Sequence, residues 1–421
     1  MAITAPPVLS EGRERALLWL LALTQFTVIM DFMVMMPLGP QIMHAFAIGP
    51  AGFATAVSVY SWCAGLSGLF AATYIDRFDR KRLLLAVYAL FALSNLGCGL
   101  AGNFHWLLLA RAFAGITGGV LGAIVMAIVG DVIPERRRGT ATGVVMTSFS
   151  MAAIAGVPVG VVLGAQFGWQ TPFYLLVMLS LLIWLAAARL VPSLRTHLAK
   201  RPTPLAEVLP DLAALLRKPA HLRAFALTGM MMISAMLVIP FISPVLVGNH
   251  GVAPQAISWI YLAGGAATLF TSRTIGRLSD RYGKHKVFRY VALFSMLPLL
   301  FITHLPTLPL LALIAFFPFF MVSISGRNIP LQALMTTVPD PAKRGAFLSV
   351  NSAIQSIGTG LGAWFGGLML SSGPGGEIIG YGTNGWCAVA LTLLGIVWIH
   401  RVTKVAMPVA ADKPVPDVLH S

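Results

Sequence analysis

Asp31 stands in "TQFTVIMDFMVMMP" (Thr24 to Pro37), inside an otherwise oily run from Ala16 to Met36. A charge near the centre of a bilayer costs about 2.5–3.5 kcal/mol on insertion scales, so an acid in such a run is a functional suspect. The chain has 14 acidic residues, and every other one falls in a loop, a tail or at a helix end. Thr24 and Thr27 precede Asp31 by seven and four residues, which puts all three on one face of a helix. That stripe is expected to face a bundle interior or a watery crevice, not lipid. The chemistry open to a lone buried carboxyl is reversible protonation. Burial favours the neutral acid and a nearby cation favours the carboxylate, so alternating exposure cycles the proton. Each proton entering a cell is also driven by about 2.3 kcal/mol per 100 mV of membrane potential. The competing reading is a neutral acid hydrogen-bonded within a bundle.

Arg111 and Arg327 are the other charges inside apolar runs. A guanidinium does not readily shed its proton, so each needs an anion, backbone carbonyls or water. Arg111 comes early in its run and Asp31 late in an oppositely directed one, which places both at the same depth. A pairing of Asp31 with Arg111, broken when Asp31 is protonated, is the expected coupling element. Arg327 lies in "SGRNIPLQ" with Asn328 and Gln332 as polar neighbours. These three, with Asn351, Gln355 and Thr27, are the candidates for contacting a polar solute. Tethering of helices is the alternative for each arginine. Cys63, Cys98 and Cys387 show no metal-ligand spacing or disulfide framework and read as packing residues. His105 and His304 are scattered with no acid partner, and no GxxxxGK[ST] motif occurs. No catalytic group, metal site or cofactor is expected, and an enzyme is disfavoured.

The elements that must position these residues are membrane helices. Of 421 residues, 57% are hydrophobic and 10% charged, with mean hydropathy +0.83. Crossing about 30 Å of hydrocarbon takes about 20 apolar residues. Twelve such runs occur, near 16–38, 51–73, 83–101, 105–129, 140–164, 170–192, 223–247, 254–275, 287–303, 307–329, 345–371 and 385–402. They lack the alternation of a barrel, and lipid-exposed backbone must satisfy itself within a helix. The net charge of +15 is explained by placement, not by a nucleic-acid partner. Turns joining odd spans to the even spans after them hold no Lys or Arg. The other turns hold Arg77, Arg80 to Arg82, Arg136 to Arg138, Arg277, Arg281, Lys284, Lys286, Lys343 and Arg344. By the positive-inside rule, both termini and the loop 193–222 face the cytoplasm.

The chain also repeats itself. "YIDRFDRKR" (from Tyr74) returns as "LSDRYGKHK" (from Leu278), and "IPERRRGTA" (from Ile133) returns as "VPDPAKRGA" (from Val338). Arg111 is echoed by Arg327, and Gly156, Gly160 and Gly164 by Gly358, Gly362 and Gly366. Aligning Pro37 with Pro240 sets Ser234 opposite Asp31. Secondary transporters are built from such repeats, with the solute site between them. The expected division is a six-helix bundle over 1–192, a linker at 193–222, a second bundle over 223–403 and a tail at 404–421. The spaced glycines allow close helix approach, and Pro158 adds a bend.

On these residues the chain resembles the major facilitator superfamily along essentially its whole length. The loop signature GxLxDRxGxxK is matched by Gly276, Leu278, Asp280, Arg281, Gly283 and Lys286. The first copy keeps Asp76, Arg77, Arg80 and Lys81 but has Ala72 and Asp79 where glycines are expected. Arg111 and Gly115 fit the family's RxxxG motif. "AGVPVGVVLGAQFGW" is similar to the glycine-proline motif of proton-driven exporters, in a variant closest to the arabinose-efflux, sugar-efflux branch. The resemblance implies an all-α integral membrane protein with twelve transmembrane helices in two pseudo-symmetric bundles. It further implies a cytoplasmic gate of Asp76, Arg77, Arg80, Gly276, Asp280, Arg281 and Gly283. The expected function is proton-coupled efflux of a small organic solute, sugar or drug-like, by rocking of the bundles, in the inner cell membrane and as a monomer. An uptake symporter is the alternative, with a non-transporting receptor as the alternative of another class.

Overall fold

The computed structural model describes residues 10–194, 210, 214–340 and 343–406. Among these, twelve long helices succeed one another. In the first half they are α1 (Glu11–Val34), α2 (Pro50–Tyr74), α3 (Arg80–Gly99), α4 (Phe104–Val132), α5 (Arg138–Phe167) and α6 (Thr171–Leu190). The second half supplies α7 (Pro219–Gly248), α8 (Ile257–Tyr282), α9 (Lys284–Thr303), α10 (Leu310–Met335), α11 (Arg344–Leu368) and α12 (Tyr381–Ala406). The expected linker and tail fall largely outside the described residues.

Local chemistry sets the helix ends. Asp79 accepts the Lys81 amide at 2.9 Å and starts α3. Asn103 accepts the Trp106 amide at 2.8 Å and starts α4. Gly283, at φ +94°, separates α8 from α9 in a backbone conformation that side chains resist. In α5 a π turn, Ala152–Gly156, immediately precedes Val157 and Pro158. Proline has no N–H to give the ladder, and one wide turn absorbs the mismatch. Several helices outrun their apolar runs: α8 reaches Tyr282 and α10 reaches Met335. Hydropathy stops at the charges, whereas the backbone ladder does not.

Ten of the twelve helices are long and apolar enough to cross a membrane; α8 and α11 are less apolar. Those two carry the main packing between the halves, α8 on α5 and α11 on α2. Their neighbours include protein where another helix would meet lipid.

The two ends of the helices differ. The basic end holds the turns rich in Lys and Arg, and the neutral end holds the turns without either. At the neutral end a single apolar core draws on both halves, including Leu38, Phe53, Val57, Phe241, Val245 and Phe317. At the basic end each half has its own core, one around Leu84 and Ile128 and one around Phe288 and Phe347, with Leu69 of α2 reaching across. Helix α8 follows α5 from the π turn to the neutral end but touches residues 138–151 only sparsely. The halves are therefore joined at the neutral end and divided toward the basic end. A short antiparallel pair, Ser371–Ser372 with Ile378–Ile379, lies between α11 and α12 and touches α2.

Candidate functional site

Four helices of the first half converge on one guanidinium. Arg111 of α4 donates from Nη1 to Asp31 Oδ1 of α1 at 2.6 Å, with both side chains fully buried. Tyr60 of α2 lays its ring 4.2 Å from the Arg111 guanidinium carbon and donates its hydroxyl to the Val28 carbonyl at 3.3 Å. Such cation–π contacts strengthen when desolvated. Cys98 of α3, also buried, adjoins the same guanidinium. The close approach of α2 depends on glycine: a Cβ at Gly115 or Gly119 would run into the carbonyls of Tyr60 and Ala64.

The ion pair is held at one point. Asp31 Oδ2, Arg111 Nε and Arg111 Nη2 have no hydrogen-bond partner among the described residues. A buried pair repays its desolvation only when its remaining donors and acceptors are also satisfied. Tyr60 lies within reach of the Asp31 carboxyl and Cys98 within reach of the Arg111 guanidinium, so both polar neighbours of the pair are neutral.

The second half repeats the geometry with different chemistry. Arg327 of α10 is fully buried and donates to Thr392 Oγ1 at 3.1 Å, to the Met231 carbonyl at 3.4 Å and to Ser234 Oγ at 3.4 Å. No carboxylate among the described residues pairs with it. Its donors turn toward α7 and α12. Asn328 and Gln332 are half-buried on another side of α10, and Asn328 Oδ1 is without a partner among the described residues. The expected trio of Arg327, Asn328 and Gln332 is thus divided between the bundle interior and a different face. Asn351 accepts from Thr228 at 2.9 Å and ties α11 to α7, while Gln355 is half-buried. Thr27 donates to the Thr24 carbonyl at 2.8 Å and meets the Tyr88 hydroxyl at 2.9 Å, inside the first bundle. Sequence reasoning passed over Gln25, whose buried Oε1 lacks a partner among the described residues. It also passed over Tyr60 and read Cys98 as a packing residue, since uncharged residues in apolar runs give no signal.

At the basic end the two copies of the loop signature behave differently. Arg80 is the hub of the first, donating to Asp76 at 2.6 Å, to Asp131 at 2.9 Å and to the Ile75 carbonyl at 2.8 Å. Arg77 is exposed. Asp79, where the signature has glycine, caps α3 and accepts from Ser193 beyond the end of α6. In the second copy Asp280 and Arg281 are exposed, and Arg281 lies 5.3 Å from the Tyr282 ring centroid. Gly276 faces open space, and Lys284 donates to the Ala333 carbonyl at 3.0 Å.

The glycine stripes serve packing within each half. Gly156, Gly160 and Gly164 of α5 face Met30, Val34 and Leu38 in and just after α1, with Pro158 buried beside them. Gly358, Gly362 and Gly366 of α11 face Gly229, Ile233 and Leu237 of α7. Contact between the halves uses other glycines. A Cβ at Gly265 of α8 would sit 2.7 Å from the Ala153 carbonyl in the π turn, and Gly360 and Gly367 of α11 abut Trp62 and Ala54 of α2.

Twelve long helices among the described residues, ten of them long and apolar enough to cross a membrane, form two halves that each bury an arginine, and this is the architecture of a multi-pass membrane protein. The family model described as Major Facilitator Superfamily matches residues 21–240 and 224–417, and the chain belongs to that superfamily. It is 24% identical over 343 residues to a probable sugar efflux transporter of Mannheimia succiniciproducens, covering 81% of this chain and 82% of that one. A protein of the same description from Helicobacter pylori is 25% identical over 364 residues, covering 86% and 88%. Among solved structures, a bacterial homologue of the human lysosomal transporter Spinster, inward-facing and occupied, superposes with TM-score 0.77 at 16% identity over 94% of this chain and 98% of that one. A D-xylose–proton symporter gives TM-score 0.73 at 15% identity over 91% and 97%.

Proposed function

We propose that this transporter exports a small organic solute, a sugar or a drug-like molecule, in exchange for protons. Its two bundles rock so that the gap between them opens to one side and then the other. The buried pair of Asp31 and Arg111 carries this reading. When Asp31 is ionised the pair holds α1, α2 and α4 together. When it is protonated the Coulombic part of that hold disappears, which couples proton occupancy to helix packing. The named relatives favour efflux and a sugar. The amide oxygens of Gln25 and Asn328, without partners among the described residues, supply acceptors suited to a hydroxyl-rich solute, since a buried acceptor left unmet costs about 1–3 kcal/mol.

In this reading the basic end is cytoplasmic, the membrane is the inner cell membrane, and a single chain suffices. Residues 1–192 and 223–403 form the rocking units, joined by 193–222, with 404–421 a cytoplasmic tail. Arg80, Asp76, Asp280 and Arg281 contribute to the cytoplasmic gate.

The test uses inverted membrane vesicles with a panel of labelled sugars and drug-like compounds. An imposed proton gradient, acid inside, drives accumulation by an exporter and not by an uptake symporter. Asp31→Asn abolishes gradient-driven accumulation and leaves solute counterflow. Undiminished gradient-driven transport by Asp31→Asn overturns the coupling reading.

A further inference from the structure

Two histidines line one cavity at the neutral end. His250 lies in the turn after α7 and His304 at the end of α9, and Asn249, Thr303, Tyr381 and Gly382 share the wall around about 240 Å³. The other polar side chains there are already engaged. Asn249 donates to the Ile378 carbonyl at 2.9 Å and accepts the Ile378 amide at 2.7 Å. The Tyr381 hydroxyl donates to the Val238 carbonyl at 3.0 Å, and the Thr303 hydroxyl to the Leu299 or Leu300 carbonyl. The imidazoles keep lone pairs to offer. His304 Nδ1 lies 3.1 Å from the Leu300 carbonyl. A carbonyl only accepts, so in the neutral ring Nδ1 carries the hydrogen and Nε2 the lone pair. Gly382 leaves that Nε2 uncovered, since a Cβ there would sit 2.8 Å from it. His250 Nδ1 has no partner among the described residues.

A metal-ligating imidazole is oriented in this way, with its second nitrogen donating to a carbonyl. The charge around the cavity favours a cation over an anion. The turns of this end hold no Lys or Arg, and Glu377, next to Ile378 of the cavity wall, is their one acid. We propose that His250 and His304 bind a divalent transition-metal ion of the imidazole-preferring class, Zn²⁺ or Ni²⁺. No third His, Cys, Asp or Glu among the described residues joins them, so water completes the shell. At about 30 Å³ for each water, the cavity has room for the ion and several of them. The ion ties the turn after α7 to the end of α9, within the second half. In the orientation proposed above it is taken from outside the cell, but binding itself does not depend on that orientation or on proton coupling.

The test uses the full chain without an affinity tag, purified in detergent and stripped of metal with a chelator. Calorimetry follows titration with ZnCl₂ or NiCl₂, with MgCl₂ as the control because Mg²⁺ takes oxygen ligands. The expected result is one more saturable Zn²⁺ in the parent than in the double variant His250→Gln with His304→Gln. Each single variant weakens that binding by about tenfold or more. His44→Gln and His105→Gln, at the other histidines of this end, leave it unchanged. The unfolding midpoint rises with Zn²⁺ and not with Mg²⁺, and size-exclusion profiles establish that each variant is folded. Equal Zn²⁺ stoichiometry in the parent and the folded double variant, or an equal response to Mg²⁺, overturns the inference. Gradient-driven transport by Asp31→Asn is read separately, so either proposal can fail alone.

Discussion

Ser243, in the last turns of α7, donates a hydrogen bond to the carbonyl of Pro37, just beyond α1, at 2.9 Å. It stitches the second half to the first at the neutral end, beside Gly39, where a Cβ would sit 2.9 Å from Pro244. The contact is one of several at that end and must part if the gap is to open there.

A covalent lock at this end tests the rocking motion directly. A Cβ built at Gly49 lies 3.9 Å from the Ser372 hydroxyl oxygen, so side chains at the two positions face each other across the halves. The double variant Gly49→Cys with Ser372→Cys, oxidised, holds the neutral end shut. Transport falls to background and returns on reduction, while the purified protein stays folded. Transport that persists with the cross-link formed shows that this end need not open.

The two loop-signature copies predict unequal consequences at the basic end. Arg80 is nearly buried while its partners Asp76 and Asp131 keep 59% and 23% of their side-chain surface. Removing one member of a fully buried pair costs about 3–5 kcal/mol, and this exposure discounts it. Arg80→Ala is expected to destabilise the chain by about 2 kcal/mol, whereas Asp280→Ala stays within about 0.5 kcal/mol. Thermal unfolding in detergent compares them, and equal losses refute the asymmetry.

His250, in the turn after α7, supplies a pH dependence. Burial lowers its imidazole below the ordinary value of 6.5, and its Nδ1 is without a partner among the described residues. The folded state therefore prefers the neutral ring. Its contribution is present above pH about 6.5 and is lost as pH falls through the lowered value. The unfolding midpoint of the parent chain should drop more steeply than that of His250→Asn as pH falls below that point. Parallel curves remove His250 from the account.

The helices were legible because the bilayer imposes a length and a charge rule that a single chain displays openly. The meeting of Asp31 and Arg111 followed from depth: one late in its span, one early in an oppositely directed span. Rotation was not legible. Nothing in "SGRNIPLQ" says that Arg327 turns toward α7 and α12 while Asn328 turns elsewhere, because neighbours fix that angle. The same gap hid Tyr60, and it hid which partner each glycine serves. Gly160 packs on α1 within its half and Gly265 on α5 across halves, though both are small residues in apolar runs. Among adjacent cations, only the folded turn distinguishes Arg80, which binds three groups, from exposed Arg77.

The wide turn at Ala152–Gly156 has a mechanical consequence. A π turn holds one residue more than a regular turn. The faces of α5 before and after it are therefore out of register by about 100°, so a single helix turns Gly156, Gly160 and Gly164 to the α1 side while offering the Ala153 carbonyl to Gly265 across the halves.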